Sequence, residues 1–287
     1  MPEMIHDLPF HSYLNDPGFG SSDLHMMRAG VPAVVKWRRE NRNHNTRFTG
    51  IGKAAHCRVL TPELFAKDFY VRAEGEEFRS KEARAARDAM LDMGKTILSY
   101  DDGEIVREVH AAICSNQAAA ESLQNSVGRE VSCFWECEHS GLPSKCRPDS
   151  WTRLNGELMV VDIKVTVEAT KPLDRVLKAA TWNGWINQLA HNRAGLRAVG
   201  QDVKRGGLLL VPNSAPFSER IRLLTWNSDA LDEVEQMNVD TRRLIKACVD
   251  EDRWPTASAS GWEEQQLPEN FIWTELSDEQ LDGAEVM

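Results

Sequence analysis

Basic residues are in short supply. The chain sets 34 Lys and Arg against 44 Asp and Glu, a formal net charge of −10 over 287 residues. A surface coated with cations for nucleic acid is thereby excluded, but a locally positive groove is not, because net charge governs solubility and steering rather than a site. Long apolar runs are also missing. No stretch approaches the roughly 18 consecutive apolar residues of a membrane span. The polar start MPEMIHDLPFHSYLND lacks the basic-then-apolar layout of a signal peptide, so the cytoplasm is the expected compartment and no membrane the expected partner. Cysteines number only six, and without an export signal they read as reduced thiols rather than a disulfide framework. Cys133, Cys137 and Cys146 are spaced C-x3-C-x8-C, which fits neither the usual zinc pairs nor the common iron–sulfur patterns and reads as structural. There is no internal repeat and no low-complexity linker. One continuous domain is expected over residues 1–271, followed over 272–287 by a mobile acidic tail whose TELSDEQLDGAEVM ending holds no Lys or Arg.

What is present is an ordinary soluble composition, 41% apolar and 27% charged, enough for a full core. Up to about residue 128 the pattern is mostly helical. Ser21 or Ser22 can cap SSDLHMMRAG, Pro62 restarts a helix after GKAAHCRVL, and the Ala-, Glu- and Lys-rich stretch from Ser80 to Leu123 predicts two or three helices. Beyond Gly128 the runs EVSCFWECE, SKCRPDSWTRL and GELMVVDIKVT carry β-branched and aromatic residues at strand spacing. Helical spacing returns from Pro172 to Leu196; strands are expected near GGLLLVPN and ERIRLLTW, and a helix over DALDEVEQMNVDTRRLIKACV. This order predicts an α/β or α+β domain: a mixed central β-sheet at about 129–250 flanked by helices, after a helical N-terminal portion.

Asn155-Gly156 between two apolar runs is a strong hairpin signal. With those two residues as the turn, Leu154 pairs with Glu157, and counting back along both strands places Asp149 across from Asp162 and Arg147 across from Lys164. Strand side chains alternate, so these four share one face. The aspartate β-carbons are then expected roughly 4.5–5.5 Å apart. A surface lattice of ion pairs is one reading of this set, worth about 0–1 kcal/mol per exposed pair. The apolar approach Met159-Val160-Val161 favours the other, in which two interior carboxylates share a cation. Two carboxylates suit Mg2+, with Mn2+ an alternative, and a lysine two residues on can orient a bound water or offset developing charge, a set that suits phosphodiester hydrolysis.

PD-x(12)-DIK resembles the core of the PD-(D/E)XK nuclease superfamily, and the surrounding residues resemble its RecE-type exonuclease VIII group, related to the RecB nuclease domain and lambda exonuclease. FTGIGKAAHCRVLTPELFAKDF is similar to that group's G-x-A-x-H-x-x-x-L-x-P-x-x-F stretch, CRPDSW to its RPD strand, VVDIKVT to its D-x-K-T-T run, NGWINQLAHN to the helix that follows, and DRWPTASASGWEEQQLPENF to its W-P then L-P ending. The resemblance implies a restriction-endonuclease-like α/β fold. It also implies His56, Asp149, Asp162 and the Ile163 carbonyl as metal ligands, Lys164 serving the attacking water, and Gln188 positioning that water or the phosphate. Arg147 is a candidate phosphate contact, and Ser22 falls where a serine approaches the 5′-phosphate, although helix capping explains it nearly as well. The family tyrosine four residues after the glutamine is replaced by Asn192, which takes its place as a DNA-contact candidate, and Val165 interrupts the threonine pair.

The implied activity is a Mg2+-dependent exonuclease that degrades linear double-stranded DNA 5′ to 3′ and leaves 3′ overhangs for recombination of the phage type. The implied partners are DNA ends, a RecT-like single-strand annealing protein and further copies of the chain in a ring. An endonuclease or single-strand repair nuclease with the same site, and a catalytically silent DNA-binding module, are the alternatives. Trp182 and Trp185, three apart on a helix, read as core packing rather than a platform for bases.

Overall fold

A computed structural model describes residues 2–28, 30–41 and 47–256. Strand β1 (Glu3–Ile5) precedes helices α1 (Phe10–Asn15), α2 (Ser21–Arg28), α3 (Pro32–Glu40), α4 (Arg47–Leu60) and α5 (Pro62–Asp68). Pro32 and Pro62 open α3 and α5, where a missing N–H is harmless because the first turn has no acceptor for it. Strand β2 (Phe69–Val71), α6 (Lys81–Asp92), β3 (Thr96–Leu98), α7 (Tyr100–Ser115) and α8 (Gln117–Gln124) follow. Ser80, Ser99 and Asn116 stop these helices from fraying by accepting the N–H of Ala83, Asp102 and Ala119. The remainder runs β4 (Ser126–Arg129), β5 (Ser132–Glu136), β6 (Pro143–Cys146), β7 (Ser150–Leu154), β8 (Glu157–Val165), α9 (Leu173–Trp182), α10 (Trp185–Ala198), β9 (Val203–Val211), β10 (Arg222–Trp226) and α11 (Ser228–Asp250).

Five strands in the order β10-β9-β8-β7-β4 make the central sheet. β8 and β9 run parallel and the other neighbours antiparallel. A parallel pair needs a long crossover, which α9 and α10 supply. The architecture is therefore the mixed α/β arrangement that the sequence predicts, helices flanking a mixed sheet. Two smaller sheets were not expected: antiparallel β1-β5-β6, which takes EVSCFWECE out of the central sheet, and the short parallel pair β2-β3.

The β7-β8 hairpin has the expected register, from Leu154 opposite Glu157 to Ser150 opposite Val161. Asn155 and Gly156 have φ of 51° and 86°, the left-handed pair that a two-residue turn requires and that Asn and Gly tolerate best. Along β8, Met159, Val161 and Ile163 pack toward Ala54 and Ala55 of α4 and Val106 and Val109 of α7. Val160 faces the other way, with Trp151, Leu208 and Leu210, toward Val176 of α9 and Leu189 of α10. Each fully buried side chain of this kind contributes roughly 1.5–3 kcal/mol. By the same alternation Asp162 and Lys164 belong to the α10 face.

One strand expectation needs correction. SKCRPDSWTRL is not a single strand: β6 lies in the three-stranded sheet and β7 in the central one, and residues 147–149 carry the chain between them. Pro148 has no N–H for a ladder, so the stretch breaks there. Arg147 consequently does not lie across from Lys164.

Among the described residues no helix is long and apolar enough to cross a membrane. The 272–287 tail and the part of the W-P then L-P ending beyond Thr256 lie outside the described residues.

Candidate metal centre

Asp162, Ile163 and Lys164 lie near the end of β8, where β7 gives way to the crossing segment that carries Asp149. Asp149 is tied back to β8: its Oδ2 accepts the Ile163 N–H at 2.7 Å. Its Oδ1 lies 3.4 Å from Nδ1 of His56, which α4 brings over the sheet. Lys164 Nζ sits 2.8 Å from Asp162 Oδ2 and donates to Gln188 Oε1 at 3.0 Å, one turn into α10. The fold therefore gathers His56, Asp149, Asp162, Lys164 and Gln188 from four separate stretches of chain. Ile163 contributes its backbone, and its side chain belongs to the core.

Glu130 joins this group without having been anticipated. His56, Glu130 and Asp149 can each offer one ligand atom, all within 4.8 Å of one another, so the three can hold a metal ion. Glu130 stands between β4 and β5 with φ of 50°, a left-handed conformation that costs a non-glycine residue about 1–3 kcal/mol and recurs at functional sites. Its N–H donates to the Asp149 carbonyl at 3.2 Å, and its carboxylate accepts from Arg147 Nε at 2.8 Å. Arg147 also donates to the Leu8 carbonyl at 2.8 Å. Its guanidinium, expected to face Lys164, is thus engaged in orienting Glu130. The sequence signal for Glu130 was faint, a lone acidic residue at the mouth of a strand.

The electrostatics of the cluster follow from burial. Burial pushes the Asp162 carboxyl up, and the neighbouring Asp149 charge adds to this; Lys164 pulls the other way, leaving it at about 6. Burial also opposes ionisation of Asp149, but the His56 imidazole beside it wins and holds the carboxyl below the usual range. For His56, burial disfavours the charge and Asp149 more than compensates, raising it to about 9. Burial would discharge Lys164, yet Asp162 and then Asp149 hold its pKa above the ordinary lysine value. Glu130 is raised, by burial first and by Asp149 second.

Asp162 tests whether these residues suit a cation. It is 0% exposed, its Oδ2 meets the Lys164 ammonium at 2.8 Å, and its Oδ1 has no hydrogen-bond partner among the described residues. The Lys164 ion pair touches only one of the two oxygens. A buried carboxylate left in this state is costly unless another positive charge completes it. The converging donors are two carboxylates and an imidazole, Glu130, Asp149 and His56, hard oxygens with one nitrogen, which fit Mg2+ or Mn2+, and Asp162 stands outside that converging set.

The other named positions have settings of their own. Ser22 is exposed in the first turn of α2, and the local capping bond is made by Asp23, whose Oδ2 accepts the Gly20 N–H at 2.9 Å. Asn192, one turn beyond Gln188, is 3% exposed; its carbonyl accepts from the Cys146 thiol at 3.8 Å, and its Nδ2 has no hydrogen-bond partner among the described residues. Cys133 lies opposite Cys146 in the β5-β6 ladder, and all six cysteines are free thiols. Trp185 packs against the α10-side core as expected, but Trp182 does not: it is 84% exposed at the end of α9, because Gly184, at φ of 71°, ends that helix and redirects the chain.

The fold and the cluster define the class as a mixed α/β protein in which His56, Glu130 and Asp149 can hold a metal ion. No protein-family model matches the chain, and no curated protein matches it. Among solved structures, the chain is similar to a "Putative exonuclease" from Eubacterium rectale, with a TM-score of 0.61 over 92% of this chain and 96% of that one at 13% identity. At that identity the likeness speaks for the fold. Protein VC1899 from Vibrio cholerae aligns with 87% of this chain and 58% of its own at 9% identity, but its TM-score of 0.22 carries no argument.

Proposed function

We propose that the protein is a Mg2+-dependent deoxyribonuclease, with Mn2+ as a substitute, that acts as a 5′-to-3′ exonuclease on linear double-stranded DNA. The observation that carries this reading is the buried, incompletely partnered Asp162 beside Lys164, within a cluster completed by Asp149, His56 and Glu130. A divalent cation, when bound there, polarises a phosphate oxygen and lowers the pKa of water. His56, Glu130, Asp149, Asp162 and the Ile163 carbonyl are the groups to hold it. Lys164 remains a cation in this setting, so it orients the attacking water and offsets developing negative charge rather than taking the proton. Gln188 fixes the Lys164 ammonium from α10, and Arg147 fixes Glu130. Ser22 serves the 5′-phosphate from the first turn of α2. The polarity, the ring-shaped homo-oligomer, the RecT-like annealing partner and the recombination role come from the resemblance of the motifs, and they complete the proposal.

Digestion of linear duplexes labelled separately at the 5′ and 3′ ends tests it. Release of the 5′ label first, in Mg2+ and not with chelator, is expected. Cleavage of closed circular DNA at an equal rate would replace the exonuclease reading with an endonuclease. Absence of cleavage together with absence of Mn2+ binding by calorimetry would leave a silent DNA-binding module.

A further inference from the structure

Helix α9 links the two elements that frame the centre: it follows β8, which bears Asp162 and Lys164, and leads through Gly184 into α10, which bears Gln188. Its inner side is closed by Val176 and Ala180. Its outer side is unusual for so acidic a chain. Arg175, Lys178 and Trp182 are spaced i, i+3 and i+7, so they stack along one helix face over about 10 Å. All three are exposed, and neither cation has an acidic partner within ion-pair distance among the described residues. Lys171 is exposed just before the helix. Arg220 and Arg222 bring further positive charge to its base, donating to the carbonyls of Thr170, Ala169 and Lys171 at 3.1, 2.9 and 2.6 Å. Asp174 is the one acidic side chain in the helix, in its first turn, where the helix dipole favours it. Trp182 caps the stripe at the end nearest Gln188, and α2 buttresses that corner: a side chain at Gly184 would meet His25 of α2 at 2.6 Å.

We infer that the outer face of α9 is a track for unpaired DNA, with Trp182 stacking on a base while Arg175 and Lys178, aided by Lys171, contact the phosphates. The inference rests on the nuclease reading for its location and deepens it by assigning the strand path. An indole offered to solvent has a flat face that any unpaired base can cover, whereas bases inside a duplex already stack on one another. The adjacent cations match the phosphate charge, and their spacing is fixed by the helix.

The test uses the full chain in Ca2+, with three fluorescent probes in an anisotropy titration: a short single strand, the same sequence as a blunt duplex, and a single strand of abasic residues. Trp182→Ala is expected to weaken the base-bearing single strand about tenfold, as loss of one stacked base implies. It should leave the abasic strand within twofold, while Trp182→Phe retains most of the affinity. Replacing Lys171, Arg175 and Lys178 together by Gln should weaken both single strands and lower the salt dependence by about two charges. Mn2+ affinity by calorimetry reports that each variant is folded at its centre. Equal binding of the base-bearing strand by Trp182→Ala and the unaltered protein would overturn the inference, as would an equal loss on the abasic strand. A change of oligomeric state in Trp182→Ala would also overturn it, making this face a subunit contact. If the unaltered protein releases no nucleotides in Mg2+ yet its strand binding still depends on Trp182, the nuclease reading falls and the track stands; the converse result removes the track alone.

Discussion

Two histidines show how differently one residue type is used in two parts of this molecule. His191 lies on α10 against β6, its Nε2 bonded to the Lys145 carbonyl at 2.9 Å and its Nδ1 facing Arg242 at 2.9 Å. Burial and then the Arg242 charge drive its pKa down to about 3. Glu235 takes the other end of Arg242 at 2.5 Å, and Arg193 nearby is held by Asp232, Ser228 and the Lys204 carbonyl. That region meets its two buried guanidinium groups with carboxylates and carbonyls of the protein itself, although the Nε of Arg193 and of Arg242 has no hydrogen-bond partner among the described residues. Around His56 the neighbours are carboxylates, its pKa climbs to about 9, and Asp162 has Lys164 at one oxygen and no hydrogen-bond partner at the other among the described residues. The His191 region sets acids and carbonyls against its buried cations, whereas the His56 region crowds Glu130, Asp149 and Asp162 around one imidazole and one ammonium, a surplus of carboxylates that suits a further cation.

The largest break in this comparison is expected from Asp162→Asn, which should reduce Mg2+-dependent nucleotide release to the chelator background while raising the melting temperature of the metal-free protein. A lower melting temperature would mean that Asp162 is matched within the protein, as in the His191 region. Arg242→Ala should do the opposite, lowering stability in denaturant titrations by removing the partner of half-buried Glu235 and of buried His191, with Mn2+ affinity unchanged in the folded protein. Glu130→Gln should weaken Mn2+ about tenfold in calorimetry, the lower end of what a group around a metal contributes; unaltered affinity would remove Glu130 from the centre.

The smallest effect is the pH dependence of stability without metal, and it has opposite signs at the two sites. His56 has a folded pKa of about 9, above the unfolded 6.5, so its contribution is complete below pH 6.5 and is lost as pH rises through 9. His191 has a folded pKa of about 3, so its contribution is present above pH 6.5 and is lost as pH falls through 3. His56→Gln should flatten the alkaline limb of a melting-temperature profile and His191→Gln the acid limb. The reverse assignment would break the comparison.

Much of the centre was legible because its geometry is local. The Asn155-Gly156 turn dictates the hairpin, the hairpin fixes which β8 residues face α10, and the DIK run follows from that face. His56 and Gln188 were legible only through motifs resembling a family, since a histidine or glutamine on a helix has no chemistry of its own to advertise. Glu130 escaped because its place depends on a left-handed backbone and on Arg147, two features set by tertiary structure. The division of SKCRPDSWTRL between two sheets escaped for the same reason: both halves read as strand, and only Pro148 marked the break. Trp182 was misplaced because spacing of three residues assumes an unbroken helix, and Gly184 ends one.

The two-residue turn at Asn155-Gly156 stands at the opposite end of the hairpin from the aspartates, yet it decides an even-or-odd question for everything beyond it. Adding one residue to β8 just after the turn would leave the pairing intact and move Val161 into the place of Asp162, sending the carboxylate toward α4 and α7 and an apolar side chain toward Lys164. Adding two would restore the facing and displace the chain along its neighbour β9. Length in this loop is therefore constrained by parity, although the loop touches none of the groups it places.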